Sequence, residues 1–172
     1  MKIEKKFLFS IIIITTFFVY WGITYYQNST VEKLLRNVKG NILEVIPVNH
    51  NERIVLVDSR NFIEAISYKK GVFGWNNYGS SSPAIRPSIS EEDFRIDFIS
   101  SIAVSDRGIY YGYAPDSVTM VRLQTNDFDI RYKVHSYYWY IPLDQRNFNF
   151  KAEQFSVFYN DGREGFYPFN RP

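Results

Sequence analysis

The sequence predicts an all-β domain, an antiparallel β-sandwich or barrel-like fold, carried behind one N-terminal transmembrane helix and a short stalk helix. Three observations predict it. Residues 7–27 form an apolar run without a single charge. From Asn41 onward, short β-like runs alternate with turn chemistry. Aromatic residues make up 19% of the chain, a composition suited to pleated, half-buried surfaces.

Residues 1–6 read as a cytoplasmic tip, because Lys2, Lys5 and Lys6 outweigh Glu4 and basic flanks favour the cytoplasmic side. Residues 7–27 would extend roughly 32 Å as a helix, enough to cross a hydrocarbon core of about 30 Å. The run is apolar all round, from Ile11–Ile14 through Phe17, Phe18, Val19 and Ile23, whereas a soluble surface helix keeps a polar face. Tyr20, Trp21, Tyr25 and Tyr26 gather at the distal end, where aromatic rings favour the headgroup level. No Ala-x-Ala pattern follows Gly22, so the run reads as an uncleaved anchor and not a signal peptide. Lipoprotein processing is excluded because the chain contains no cysteine.

Residues 28–40 read as a juxtamembrane stalk helix. Ser29 followed by Glu32 suggests a capping box, and Gly40 a stop. Val31, Leu34, Leu35 and Val38 share one helical face, while Lys33, Arg36 and Lys39 lie opposite.

Residues 41–172 read as the extracytoplasmic β-domain. "ILEVIPV" and "RIVLVDS" flank "NHNE", a hairpin connection. "NFIEAISY", "VFGW", "FRIDFISSIAV", "GIYYGYA", "SVTMVRL", "FDIRYKVHSYYWYIPL", "QFSVFY" and "GFYPF" follow, separated by turn-forming segments. With Asp161-Gly162 as a two-residue turn, Val157 faces Phe166 and Tyr159 faces Glu164. Pro168 places the last strand at a sheet edge. Residues 75–93, "WNNYGSSSPAIRPSISEED", carry too much Gly, Ser, Asn and Pro for a long strand and read as a loop, with Ser90 opening one helical turn.

The basic tip, the single apolar span, the Lys-Lys-Gly turn leading to "FGW" and the later "YYGYAPDSVTMV" resemble small membrane-anchored bacterial proteins with an extracytoplasmic β-domain. That resemblance implies the architecture and assigns no residue a role.

The chemistry-bearing residues are sparse. The net charge of +2 belongs to the cytoplasmic tip, leaving seventeen Lys plus Arg (20 less 3) against seventeen Asp plus Glu (18 less 1). A neutral domain is a poor nucleic-acid binder. The absence of cysteine excludes thiol nucleophiles, disulfides and Cys-ligated zinc. His50 in a turn and His135 beside aromatics read as structural, and no metal-like spacing surrounds either. Asp127 with Asp129, and Asp93 with Asp97, read as solvated acids. No H-E-x-x-H, G-x-S-x-G or phosphate loop occurs. The expectation is a protein without catalytic residues, metal or cofactor, anchored in lipid through residues 7–27. Its β-domain binds another protein at the cell surface, through Trp75, Tyr78, Tyr138 and Tyr140 as the candidate surface. A cell-wall glycan module built on the same aromatics is the alternative, and a small hydrolase using His135 the remote one.

Overall fold

The computed structural model describes residues 5–36, 38–88, 93–134, 136–144 and 151–169. The long helix α1, Lys5–Gln27, includes Phe7–Gln27, which is long and apolar enough to cross a membrane. Its large side chains, among them Phe9, Ile14, Phe18 and Tyr26, are exposed. Trp21 and Thr24, one turn apart, are only partly so.

Helix α2 is shorter than the expected stalk, covering only Val31–Leu35. Its N-cap is Thr30, whose hydroxyl accepts from the Lys33 amide, while Ser29 instead donates to the Tyr26 carbonyl. The expected apolar face exists, but it does not stand free as a stalk. Val31 and Leu35 are buried, and Leu34 and Val38 are partly so, against Val55, Val57, Ile66, Tyr68 and Trp75. Burying four aliphatic side chains gains more than a single turn of solvated helix could.

Among the described residues all strands pair antiparallel, in three sheets. The first sheet contains β1 (Asn41–Asn49), β2 (Glu52–Asp58), β3 (Phe62–Gly71) and β4 (Gly74–Ser80) in that order, with β5 (Ala84–Ile85) also on β3. The second is ordered β10 (Tyr138–Leu143), β7 (Arg107–Tyr113), β6 (Ile99–Val104). The third is ordered β12 (Glu164–Phe166), β11 (Phe155–Tyr159), β8 (Val118–Gln124), β9 (Asp129–Lys133). Among the described residues no sheet closes into a barrel.

Strand β2 explains the unbroken apolar run in "RIVLVDS". Ile54 and Leu56 point into a core shared with the other two sheets, while Val55 and Val57 point under α2. A strand buried on both faces does not alternate. The shared core is aromatic, with Tyr110, Tyr111, Tyr113, Phe94, Phe98, Trp139 and Phe155 buried.

Three expectations are corrected. Residues 75–93 are not one loop, since β4 runs through "GWNNYGS". This strand lies at the sheet edge, with only Gly74 and Trp75 buried and a register shift against Ser67/Tyr68. Exposed edge positions tolerate Gly, Asn and Ser. Ser90 lies outside the described residues. The run 128–143 is two strands in different sheets, because Asp129–Lys133 pairs with β8 and Tyr138–Leu143 with β7. The last hairpin is offset by one residue, with Val157 opposite Gly165 and Phe158 opposite Glu164. Its loop has three residues, Asn160 to Gly162, closed by the Tyr159 amide on the Arg163 carbonyl at 2.9 Å, with Gly162 at φ 86°. A three-residue loop needs its left-handed position at the end, which is where the glycine sits. As expected, β12 lies at an edge.

Candidate functional site

The strongest polar constellation forms where the first and second sheets meet. Asp58 ends β2 and is only 5% exposed. One of its carboxylate oxygens accepts from the Tyr113 hydroxyl at 2.8 Å and from the Arg60 amide at 3.1 Å. The other accepts from the Tyr137 hydroxyl at 3.0 Å and lies 3.9 Å from the Arg86 guanidinium. Arg60 closes the turn after β2 with φ 69°. Tyr113 ends β7, and Tyr137 enters beside it through the Ala114 amide on the Tyr137 carbonyl at 3.0 Å. Arg86 follows β5, fixed by its amide on the Asn61 carbonyl at 2.9 Å.

The two tyrosine rings stack, with centroids 5.8 Å apart. The Arg86 guanidinium lies 5.3 Å from the Tyr113 ring centre and 5.1 Å from that of Tyr137. It also donates to the Arg60 carbonyl at 2.8 Å. Burial first, and then the Asp58 carboxylate, pushes both tyrosine hydroxyls above their ordinary pKa. They therefore stay protonated donors at neutral pH.

Arg86 is 40% exposed on its outer side. It borders an open cleft of about 670 Å³, shared with Tyr137, Asp116, Asn160, Asp161 and Arg163. Arg163 is held by Asp161 at 2.7 Å, and the hydrogen bond donated by the Arg163 amide, together with that ion pair, keeps the Asp161 carboxyl below the usual range. The cleft is thus bordered by the partly exposed Arg86 guanidinium, held from behind by Asp58, the Arg60 carbonyl and the two rings, and by Arg163 paired with Asp161. Such an arrangement can receive a carboxylate or another anionic group.

The expected aromatic surface is dispersed. Trp75 is 6% exposed, beneath α2, with the Arg53 guanidinium 5.2 Å from its ring. Its burial, against the expectation of an open ring, follows from its place at the start of β4, whose first two residues are buried. Tyr138 and Tyr140 are half-buried. The Tyr138 hydroxyl reaches the Leu43 carbonyl at 3.4 Å, and Tyr140 packs on Tyr132 at 5.4 Å. Of the four, only Tyr78 stands open, at 71% exposure.

His50 is exposed in the β1–β2 turn, and His135 lies outside the described residues. Asp129 is engaged by Arg122 at 2.8 Å, and Asp97 by Arg95 at 2.8 Å. Among the described residues, no group of three or more His, Asp or Glu side chains could hold a metal ion. Asp58, Tyr113, Tyr137 and Arg86 are separated in sequence by up to 79 positions. The only local signal is an acid closing a strand buried on both faces, which reads equally as a turn residue. No protein-family model matches the chain, and no curated protein or solved structure matches it.

Proposed function

We propose that this chain is a non-catalytic, membrane-anchored envelope protein. Its N-terminus lies in the cytoplasm and its β-domain outside. The domain acts as a sandwich-like platform that binds another protein by receiving a carboxylate of that partner on Arg86. The anchor reading is supported by the all-round apolar surface of Phe7–Gln27 in α1 and the orientation by Lys2, Lys5 and Lys6 ahead of that span.

The observation that carries the binding site is the Arg86 guanidinium, braced by Asp58 and the stacked Tyr113–Tyr137 pair at the edge of an open cleft. A side chain already held in one arrangement loses less entropy when it binds. A charge-assisted bond to its guanidinium is stronger than a neutral one. The glycan alternative would need several open rings together. Of the four expected, Tyr78 alone is open, so the aromatic platform has weaker support than the cleft.

The test is site-specific photocrosslinking in intact cells, with a photoreactive residue in place of Ser88 at the cleft rim. The expected result is a discrete protein adduct that disappears when Arg86→Ala is added. No adduct, or one indifferent to Arg86→Ala, overturns this reading.

A further inference from the structure

The β3–β4 hairpin ends in an unusual turn. Gly71 pairs with Gly74, leaving Val72 and Phe73 at the corner, with Val72 74% and Phe73 39% exposed. Two-residue turns favour Gly, Asn and Asp. A bulky apolar pair at such a corner, with Val72 largely and Phe73 partly in the open, is unfavourable in water alone.

The tip does not point into open space. It lies beside the distal end of α1, where the Trp21 indole donates to the Val72 carbonyl at 3.2 Å. The hairpin base is tied to the chain leaving the helix, through the Trp75 amide on the Asn28 carbonyl at 2.7 Å. Gly74, at φ 88°, sits so close that any Cβ there would collide with the Asn28 carbonyl oxygen. The hairpin and the helix end are therefore registered by two hydrogen bonds and a close backbone approach.

That register sets a depth. Trp21 precedes Gln27, the end of the apolar run, by six residues, or about 9 Å along a helix axis. The Val72–Phe73 corner is thus level with the aromatic belt of Tyr20, Trp21 and Tyr25 and not with the water beyond it. Lys70 and Lys69, the next residues up the hairpin, are exposed. The Lys33 ammonium donates to the Tyr26 carbonyl at 3.1 Å. Cations just above an apolar tip suit the phosphate level of a bilayer.

We propose that the Val72–Phe73 turn is a second membrane contact. It inserts into the headgroup–acyl boundary beside α1 and seats the β-domain directly on the bilayer. The partner is a phospholipid surface. The turn stops at the boundary, because its peptide groups would have no hydrogen-bond partners in the hydrocarbon core. An apolar face entering by several ångströms is typical of interfacial anchors. The inference rests on the reading of α1 as an anchor, and not on the Arg86 cleft.

The chain has no cysteine, so single cysteines can be placed in the full-length protein without background. Spin labels at Val72→Cys, Phe73→Cys, Ile14→Cys and Asn126→Cys are compared in phosphatidylcholine–phosphatidylglycerol nanodiscs. Each is tested against oxygen and against a water-soluble nickel chelate. Ile14 lies within the apolar run and Asn126 in an exposed turn of the third sheet. Labels at 72 and 73 are expected to be several-fold less accessible to the chelate than the label at 126, and less lipid-protected than the label at 14. Labels at 72 and 73 as accessible as that at 126, with 14 in lipid, overturn the second contact and leave the anchor standing. A label at 14 open to the chelate overturns both.

Discussion

The Tyr113 hydroxyl donates to the Asp58 carboxylate at 2.8 Å across 55 residues of sequence, joining the end of β7 to the end of β2. The same two strands are joined at their other ends. Glu52, which opens β2 and is 4% exposed, accepts from the Ser105 hydroxyl in the β6–β7 turn at 2.6 Å. Strand β2 therefore begins and ends with a buried acid, and each acid is bonded from the second sheet. Between them, Ile54 and Leu56 supply apolar packing. The acids fix how the sheets meet, because a slipped arrangement would leave a buried carboxylate unpartnered.

Asp58→Asn puts an amide that can donate where two tyrosine hydroxyls need an acceptor. The loss is expected to be about 2–4 kcal/mol, against about 1–2 kcal/mol for Tyr113→Phe, which removes one donor. Denaturant unfolding of the full-length protein in micelles, followed by tryptophan fluorescence, measures both. An Asp58→Asn midpoint equal to the parent's would refute the role of the carboxylate.

Glu52 predicts an acid-sensitive joint. The hydrogen bond from Ser105, aided by Lys69 and Asn49, holds its carboxyl below the ordinary range despite burial. A depressed folded pKa contributes stability that is present above the unfolded value, about 4.3, and is lost as pH falls through the folded one. Unfolding midpoints should therefore drop below about pH 4.3, and Glu52→Gln should flatten that drop while lowering the midpoint at neutral pH. An unchanged acid slope in Glu52→Gln counts against this assignment.

Gly112 sits opposite Trp139 in the middle of the second sheet. A Cβ there would overlap the Phe98 carbonyl oxygen and lie 3.2 Å from the Trp139 ring. Neither can move without opening the core. Gly112→Ala is expected to cost about 3 kcal/mol or more, beyond the usual overpacking range. Gly71→Ala, with nothing within 4 Å of the added methyl, should stay within about 0.5 kcal/mol. Equal stabilities for the two variants would contradict the packing described.

Trp75 is the floor on which α2 rests. Trp75→Ala should cost about 3–5 kcal/mol, as for other buried aromatic truncations. It should also free residues 30–36 from the sheet. Hydrogen exchange of those amides in the full-length protein reads the second effect directly. Exchange unchanged from the parent would mean that α2 is held by something else.

Much of this fold is legible locally. The charge-free run, the apolar face at Val31, Leu34, Leu35 and Val38, and most of the strand-forming runs follow from spacing, because helices and strands impose periods that a sequence must satisfy. Local reading fails where the partner is remote. Trp75 looks like a loop aromatic until α2 is laid over it. "SYYWY" looks two-faced until β1 and β9 close on Tyr138 and Tyr140. The last hairpin lies one residue away from the register that a two-residue turn predicts, because Asp-Gly permits loops of either two or three residues.

The sequence by itself determined that an apolar helix precedes an antiparallel β-domain, since hydrophobic period and turn chemistry are properties of neighbouring residues. Only the tertiary structure decided that Arg86, Tyr113 and Tyr137 meet at one cleft with Asp58 buried behind them, and that Val72 lies beside Trp21. Those meetings depend on which sheet each strand joins. That choice is made by burial summed over the whole core, and no local period encodes it.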